Sequence, residues 1–273
     1  MSNKKMEDFA FNFKFKLHKS VIPIGIDDED YDVLQKAYDV PMEMVMETVK
    51  ADNLHLDKYA AKLAEEVDLS KIGDKPLRIE FLGDSITSDR RSYMNIIRRA
   101  LKDKPNVEIV DFAISALKIA DLFTALYVDY MIKPADIAHI MIGTNDYRSV
   151  DDELGLTNTS IGEYERDLDY IVRELTKAGT KVIISTIPPT DPDKSHLVYN
   201  ECKATFKNTD RLIFNAIIDK VAQKYHATVN HMDEYYGQYS SAVITLEDGL
   251  HLNELGHELL VKQVAEHIVE LAN

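Results

Sequence analysis

Three short stretches of the sequence carry the residue types that acyl transfer requires. Ser85 comes two residues after the glycine that ends an apolar run, where a helix would begin. Asp248 and His251 stand three residues apart across a glycine turn, a spacing that lets the carboxylate reach the imidazole Nδ1–H while Nε2 points toward a serine. Asn145 carries a side-chain amide that can donate to an oxyanion. These residues predict a serine nucleophile with a histidine base and an orienting aspartate.

Each stretch also has a structural explanation. Gly-Asp-Ser is common in turns, Asn145 alone would fit a turn, and Asp248 would fit a helix start. The chain has nine histidines, and a lone histidine is usually not catalytic. The combination favours chemistry, because each stretch lies beside a predicted strand or helix at the same edge of one sheet.

The elements that would position these residues follow a strand–helix rhythm from residue 77 onward. Short apolar runs rich in isoleucine and valine predict strands at 77–82, 107–112, 137–142, 181–187 and 227–232. Helical patterns lie at 93–102, 119–132, 161–178, 210–225 and 253–271. This alternation predicts an α/β fold with a mostly parallel sheet and helices on both sides. Ligands bind such sheets beyond the carboxyl ends of the strands, where Ser85 and Asn145 fall.

Residues 1–75 lack this rhythm and predict a mainly helical N-terminal extension before a catalytic domain at 76–273. Helices are expected at 30–40, 41–50 and 56–67, and Gly73-Asp74-Lys75-Pro76 marks the junction. Five lysines meet only two acidic residues within residues 1–20, which predicts a solvated tail, with a basic arm as the alternative. A cap over the active edge, a dimer surface and a partner-docking module would each fit the extension.

Composition limits the partners. The formal net charge of -15 would repel nucleic acid and anionic membranes, so no nucleic-acid partner is expected. The single cysteine, Cys202, cannot form an intrachain disulfide, and no apolar window is long enough to span a bilayer. We therefore expect a cytoplasmic protein, and the sequence leaves a homo-oligomer open. The acyl-transfer residues, not the composition, predict a small-molecule ester as the partner.

The same motifs resemble those of the SGNH hydrolases, also called GDSL-type esterases and lipases. The nucleophile, asparagine and Asp-x-x-His blocks of that family match residues 83–86, 143–146 and 248–251, and the resemblance runs from Arg78 to the C-terminus. It implies a flavodoxin-like three-layer α/β/α fold with a five-stranded sheet of order 2-1-3-4-5. It also implies catalysis without a metal or an organic cofactor.

One block departs from the family pattern. The family normally places a glycine after the second strand, and the backbone N–H of that glycine donates to the oxyanion; here Ala116 takes the position. By the resemblance, the oxyanion hole consists of the N–H groups of Ser85 and Ala116 and the amide of Asn145. Alanine keeps the N–H, but a positive φ would strain it. Loss of one such donor costs roughly 10²- to 10³-fold in rate.

Four further residues are candidates for contact with the substrate. Asp84 neighbours the serine, and Lys118 would either attract an anionic group or be an exposed helix-start lysine. Tyr235 and Tyr236 precede the Asp-x-x-His block and would form an aromatic wall or pack a loop.

The resemblance and the motifs predict a serine esterase that acts on short acyl or acetyl esters, including those of carbohydrates. Lysophospholipases and thioesterases of the same family are alternatives, as is acyl transfer to an acceptor other than water. A binding protein with a catalytically weakened site is a further alternative, which Ala116 motivates.

Overall fold

A computed structural model describes residues 3–21, 29–123, 134–151, 154–199 and 204–273. The predicted helix at 119–132 is helical over 119–123, and its remaining part lies outside the described residues. Cys202 also lies outside them. In the part of the chain that the structure describes, no helix is long and apolar enough to cross a membrane.

The centre of the protein is a five-stranded sheet. Its strands are β1 (Leu77–Gly83), β2 (Val107–Asp111), β3 (Ile137–Met141), β6 (Lys181–Ser185) and β7 (Thr228–Asn230). They run in the order β2-β1-β3-β6-β7, and every neighbouring pair is parallel. Because β6 and β7 are the fourth and fifth strands of this sheet, the predicted order 2-1-3-4-5 is confirmed. The last four strands end one to two residues earlier than predicted, where the chain leaves the ladder for the loops of the site.

A small antiparallel hairpin, β4 (Ser149–Asp151) with β5 (Leu156–Thr157), was not expected from the sequence. Its strands are too short to show an alternating pattern. The hairpin follows the stretch that contains Asn145.

The helices cover both faces of the sheet, as predicted. Strand β3 is buried along its whole length, which explains its continuous apolar run. Odd-numbered residues of β1 such as Ile79 and Phe81 face one core with Tyr93–Ala100 and Glu254–Leu271. Leu82 faces a second core with Ile161–Lys177 and Asn208–Tyr225. These two cores separate the three layers of the fold.

The remaining helices lie in the extension and in the connections. Their bounds are Asn3–Lys14, His18–Val21, Tyr31–Tyr38, Met42–Glu66, Ser85–Ser88, Thr144–Tyr147, Pro192–Tyr199, Met232–Tyr236 and Ser241–Ile244, with a 3-10 turn at Leu69–Lys71. Where the sequence predicted two helices at 41–50 and 56–67, one continuous helix forms. The polar residues between them looked like a break, but Asp52 accepts hydrogen bonds from Arg90 and Arg91 at 3.2 and 2.7 Å.

The N-terminal lysine-rich stretch is not a solvated tail, and this prediction was wrong. Residues Asn3–Lys14 form a helix whose Phe9 and Phe13 are buried. They pack in a small cluster with Leu34, Val45 and other residues of the extension. Further along, the helix Met42–Glu66 contributes Tyr59 to the core beneath the sheet. The apolar side chains outweigh the lysines, whose charged ends stay near the surface or find acidic partners.

Candidate active site

Ser85 stands at the carboxyl end of β1, as the first residue of the short helix Ser85–Ser88. Asp84 starts this helix, because its Oδ1 accepts a hydrogen bond from the N–H of Ile86 at 3.0 Å. Gly83 allows the close approach of strand β3, since a Cβ there would lie 2.8 Å from the carbonyl oxygen of Met141. The tight turn leaves Ser85 partly exposed at the edge of the sheet.

His251 joins the serine to an aspartate from the same loop. Its Nε2 lies 2.8 Å from Ser85 Oγ, and its Nδ1 lies 2.5 Å from Asp248 Oδ2. With Nδ1–H donating to the carboxylate, Nε2 is the acceptor for the serine hydroxyl proton. The structure therefore brings together the three residues that the sequence singled out, in the geometry that a general base requires.

The carboxylate of Asp248 is held by its own loop. Its Oδ1 accepts hydrogen bonds from the backbone N–H groups of Leu250 and His251, each at 3.0 Å. Burial opposes ionisation, but the hydrogen bond and charge of His251 outweigh it and hold the pKa of Asp248 below its usual value. Gly249 makes the turn possible, because its φ is +67° and a Cβ would lie 2.6 Å from the carbonyl oxygen of Asp191.

The three expected oxyanion donors come from neighbouring strand ends. Ala116 has a φ of +66°, so the residue in the family's glycine position adopts the left-handed conformation that glycine favours. Asn145 follows Gly143 in the turn after β3, and its Nδ2 donates to the carbonyl oxygen of Leu117 at 3.1 Å. This bond fixes the amide beside the Ala116 loop and uses one of its two N–H groups. The expected oxyanion role would use the other N–H.

Asp146 ties the Asn145 turn to the same loop. Its Oδ1 and Oδ2 accept from the N–H of Ile119 at 3.1 and 3.2 Å, and Oδ1 also accepts from Thr159 Oγ1 at 2.7 Å. Burial raises the pKa of Asp146 to about 6 despite these donors. The Asp146 carboxyl group therefore connects the turn of Asn145 to Ile119 and Thr159, which are distant from it in sequence.

The structure corrects two of the expected substrate contacts. Tyr236 is 1% exposed, and its hydroxyl donates to the carbonyl oxygen of Gly256, so it belongs to the core and not to a substrate wall. Asp84 is buried as well, because it serves as the helix cap behind Ser85, and burial raises its pKa to about 6. Tyr235 packs partly buried against the same core as Tyr236. Lys118 is half-buried, and its backbone N–H donates to Asp121.

The described residues contain no group of three or more His, Cys, Asp or Glu side chains that could hold a metal ion. His257 illustrates the alternative role of histidines in this chain. It is buried, 3.6 Å from Asp89 Oδ2, and its Nδ1 accepts from the N–H of Tyr93 at 3.4 Å. These contacts give it a structural role.

Sequence reasoning missed two aromatic residues beside the site. The Phe15 ring stacks on the His251 imidazole with 4.1 Å between centroids, and Phe11 meets the same imidazole edge-on at 6.2 Å. The available signal was the recurrence of phenylalanine at every second position from Phe9 to Phe15. Such a run is unusual for a solvated tail.

A parallel sheet that groups a serine, a histidine and an aspartate at its carboxyl edge is an arrangement found in hydrolases that use a serine. The profile of the GDSL-like lipase/acylhydrolase family matches residues 81–259, more than half of the chain. The chain therefore belongs to this family and is a carboxylic ester hydrolase. Residues 1–80 lie outside the matched range.

Several solved structures share the fold. A lipase/acylhydrolase from Enterococcus faecalis is 19% identical with a TM-score of 0.58, over 71% of this chain and 96% of that one. The acetyl xylan esterase AlAXEase is 22% identical with a TM-score of 0.56, over 70% and 100%. A catalytic mutant of the acetylxylan esterase Axe2 from Geobacillus stearothermophilus is 17% identical with a TM-score of 0.55, over 72% and 94%. No curated protein matches the sequence.

Proposed function

We propose that the protein hydrolyses short acyl esters, acetyl esters above all, through an acyl-enzyme on Ser85. The observation that carries this proposal is the continuous chain of contacts from Ser85 Oγ to His251 Nε2 at 2.8 Å and from His251 Nδ1 to Asp248 Oδ2 at 2.5 Å. A serine hydroxyl needs such a base to become a nucleophile at neutral pH.

The mechanism follows from the roles of these groups. His251 takes the hydroxyl proton as Ser85 Oγ attacks the ester carbonyl, and Asp248 stabilises the imidazolium that forms. The N–H groups of Ser85 and Ala116 and the amide of Asn145 donate to the oxyanion. The imidazolium gives its proton to the leaving alkoxide, and the ester bond breaks. Water then attacks the acyl-serine, with His251 again as base, and releases the acid and the free serine.

The preference for a small acyl group rests on the crowding around the base. Phe15 covers one face of the imidazole and is itself 2% exposed, which leaves little depth on that side of the site. Ala116, in contrast, is exposed. Two structural relatives described as acetyl xylan esterases make acetylated carbohydrates the natural first substrates to try.

Hydrolysis of p-nitrophenyl esters from acetate to octanoate tests the proposal, with Ser85→Ala as the critical variant. Loss of the nucleophile should lower kcat by about 10⁵- to 10⁶-fold. Ser70→Ala is the matched control, because Ser70 is an exposed serine that precedes β1, toward the opposite edge of the sheet. Acetate should give the highest kcat/KM. Turnover that survives in Ser85→Ala would overturn the mechanism, and a preference for octanoate would overturn the substrate class.

The left-handed Ala116 is the observation that favours a weakened binding protein as the second candidate. A fluorophosphonate probe separates the two, because a binding protein should not become labelled at Ser85. Lysophospholipase and thioesterase activities would use the same three residues and differ in the leaving group. Added alcohols or sugars would reveal transfer to an acceptor other than water. The cytoplasmic location and a homo-oligomeric state stay predictions.

A further inference from the structure

The N-terminal segment, residues 11–16, reaches the histidine of the candidate site although it lies outside the range that matches the family. Phe15 is 2% exposed and stacks on His251 with 4.1 Å between ring centroids and 30° between ring planes. Phe11 packs against Phe15 at 4.9 Å, stands 6.2 Å from His251, and is 44% exposed. The Phe15 ring is therefore buried against the His251 imidazole, and the Phe11 ring is exposed to solvent beside it.

The segment is anchored to the loops that carry the other site residues. The carbonyl oxygen of Phe15 accepts hydrogen bonds from Ser115 Oγ and, at 3.4 Å, from Ser88 Oγ. Lys16 Nζ lies 2.9 Å from Asp111 Oδ2, an ion pair buried at the end of β2. These contacts connect the segment to the serine helix on one side and to the loop of Ala116 on the other.

A second set of contacts holds the turn that follows the serine helix. The N–H of Arg90 donates to the carbonyl oxygen of Lys14 at 2.9 Å, and Lys14 Nζ lies 3.1 Å from Asp89 Oδ2. The guanidinium of Arg90 lies over the ring of Phe13, 4.3 Å from its centroid. Phe13 and Lys14, which directly precede Phe15 in sequence, thus fix the segment to Asp89 and Arg90.

The stacking of Phe15 restricts rotation of the His251 imidazole. Asp248 holds Nδ1, but the contact between Nε2 and Ser85 is given up when Oγ attacks, and the remaining hydrogen bond allows the ring to turn about it. Phe15 restricts that rotation by covering one ring face, so Nε2 stays directed at Ser85, and it keeps water from that face. The bond from Ser115 to the Phe15 carbonyl likewise steadies the residue before Ala116, whose positive φ is unfavourable for alanine.

We propose that the N-terminal segment completes the active site, with Phe15 as a positioning residue for the His251 imidazole and Phe11 as an aromatic wall for the substrate. This inference rests on the esterase function proposed above. It selects the cap among the three roles that the sequence left open for the extension.

The variants Phe15→Leu and Phe15→Met test the positioning role, because both keep an apolar side chain and remove the ring. We expect kcat for p-nitrophenyl acetate to fall about 10- to 100-fold while KM stays within about threefold, the sign of a misplaced base. Inactivation by diethyl p-nitrophenyl phosphate, which reports the reactivity of Ser85 without an acyl pocket, should slow by a similar factor.

Phe9→Leu is the matched control. Phe9 lies on the helix Asn3–Lys14 that precedes Phe15 and is similarly buried, but its ring contacts are with Phe13 and Tyr38. We expect Phe9→Leu to lower Tm about as much as Phe15→Leu and to leave kcat within about twofold of the parent. If both substitutions depress kcat equally, the effect is one of general stability, and the positioning role is refuted.

Phe11→Ala tests the substrate wall, with Met6→Ala as control because Met6 is also on this helix and is 45% exposed. Loss of the Phe11 ring should raise KM for p-nitrophenyl butyrate about five- to tenfold with kcat within about twofold, while Met6→Ala changes neither. An unchanged KM in Phe11→Ala refutes the wall.

Different results would refute the esterase function and the role of the N-terminal segment. A parent protein that does not hydrolyse esters or become labelled at Ser85 refutes the esterase function itself. A parent that hydrolyses esters, together with Phe15 variants of normal kcat and normal phosphate-ester reactivity, refutes the inference and leaves the esterase function standing.

Discussion

Restoring glycine at position 116 should stabilise the protein. Ala116 has a φ of +66°, and the left-handed conformation costs a residue with a Cβ about 1–2 kcal/mol. Its methyl group is exposed, so little buried contact is lost with it. Glycine makes the unfolded chain more flexible, which costs about 0.4–1 kcal/mol. The difference predicts that Ala116→Gly raises the free energy of unfolding by roughly 0.5–1 kcal/mol.

Urea and thermal unfolding would measure this effect. For a chain of this size, a gain of that order raises Tm by roughly 1–4 °C. The control is Ala178→Gly, where the same substitution falls on an exposed helix end with a φ of -78° and should destabilise by about 0.4–1 kcal/mol, because only the unfolded-chain effect remains. Ala116→Val should also destabilise, because a β-branched residue tolerates the left-handed region poorly.

Activity gives a second readout. The backbone N–H of residue 116 is present with either side chain, so kcat for p-nitrophenyl acetate should stay within about threefold in Ala116→Gly. If Ala116→Gly lowers the stability as Ala178→Gly does, or if Ala116→Val is as stable as the parent, residue 116 does not hold the left-handed conformation. The argument about its strain then fails.

Three further changes have defined outcomes. Gly249→Ala places a Cβ 2.6 Å from a carbonyl oxygen, so unfolding in urea should show a loss of at least about 2 kcal/mol and kcat should fall at least tenfold; a variant with parental kcat contradicts the loop geometry. The pKa of Asp84 is raised to about 6, so this carboxyl destabilises the fold as pH rises from about 4 to 7. The stability of Asp84→Asn relative to the parent should therefore increase by up to roughly 3 kcal/mol between pH 4 and pH 8, and parallel urea curves would refute this. Asp111→Asn removes the buried carboxylate that pairs with both Lys16 and Lys19 at 2.9 Å and should cost about 3–5 kcal/mol, whereas Lys19→Met removes only the more exposed of the two lysines and should cost less; equal losses would contradict the burial argument.

Much of the fold could be predicted because its signals are local. Each buried parallel strand is a short apolar run, and the regular spacing of runs and helices determines the class and, with the family motifs, the strand order. The continuous helix Met42–Glu66 was missed for the opposite reason. Its polar middle, around Asp52, is satisfied by arginines that follow the first strand, and no local pattern shows such partners.

Some residues of the candidate site could likewise be predicted from local motifs, and others could not. Ser85, Asn145, Asp248 and His251 could be selected because each stands in a distinctive motif next to a strand or helix end, and the structure groups them. Their catalytic roles stay predictions. Tyr236 was placed at the site because it is an aromatic residue near the histidine in sequence, but the short helix that carries it turns it into the core. Its position in the sequence showed that Tyr236 lies near His251 but did not show that its side chain points into the core.

The contact between Phe15 and His251 also has a consequence for the order of events during synthesis. Phe9 and Phe13 pack with Leu34 and other residues before Lys50, so all members of that cluster are translated before the first strand of the sheet. Phe15 stacks on a residue that is translated after the last strand of that sheet. The cluster can thus form before the sheet, while the site closes only when the turn that carries His251 has been made. An unfinished chain carries the serine without its base.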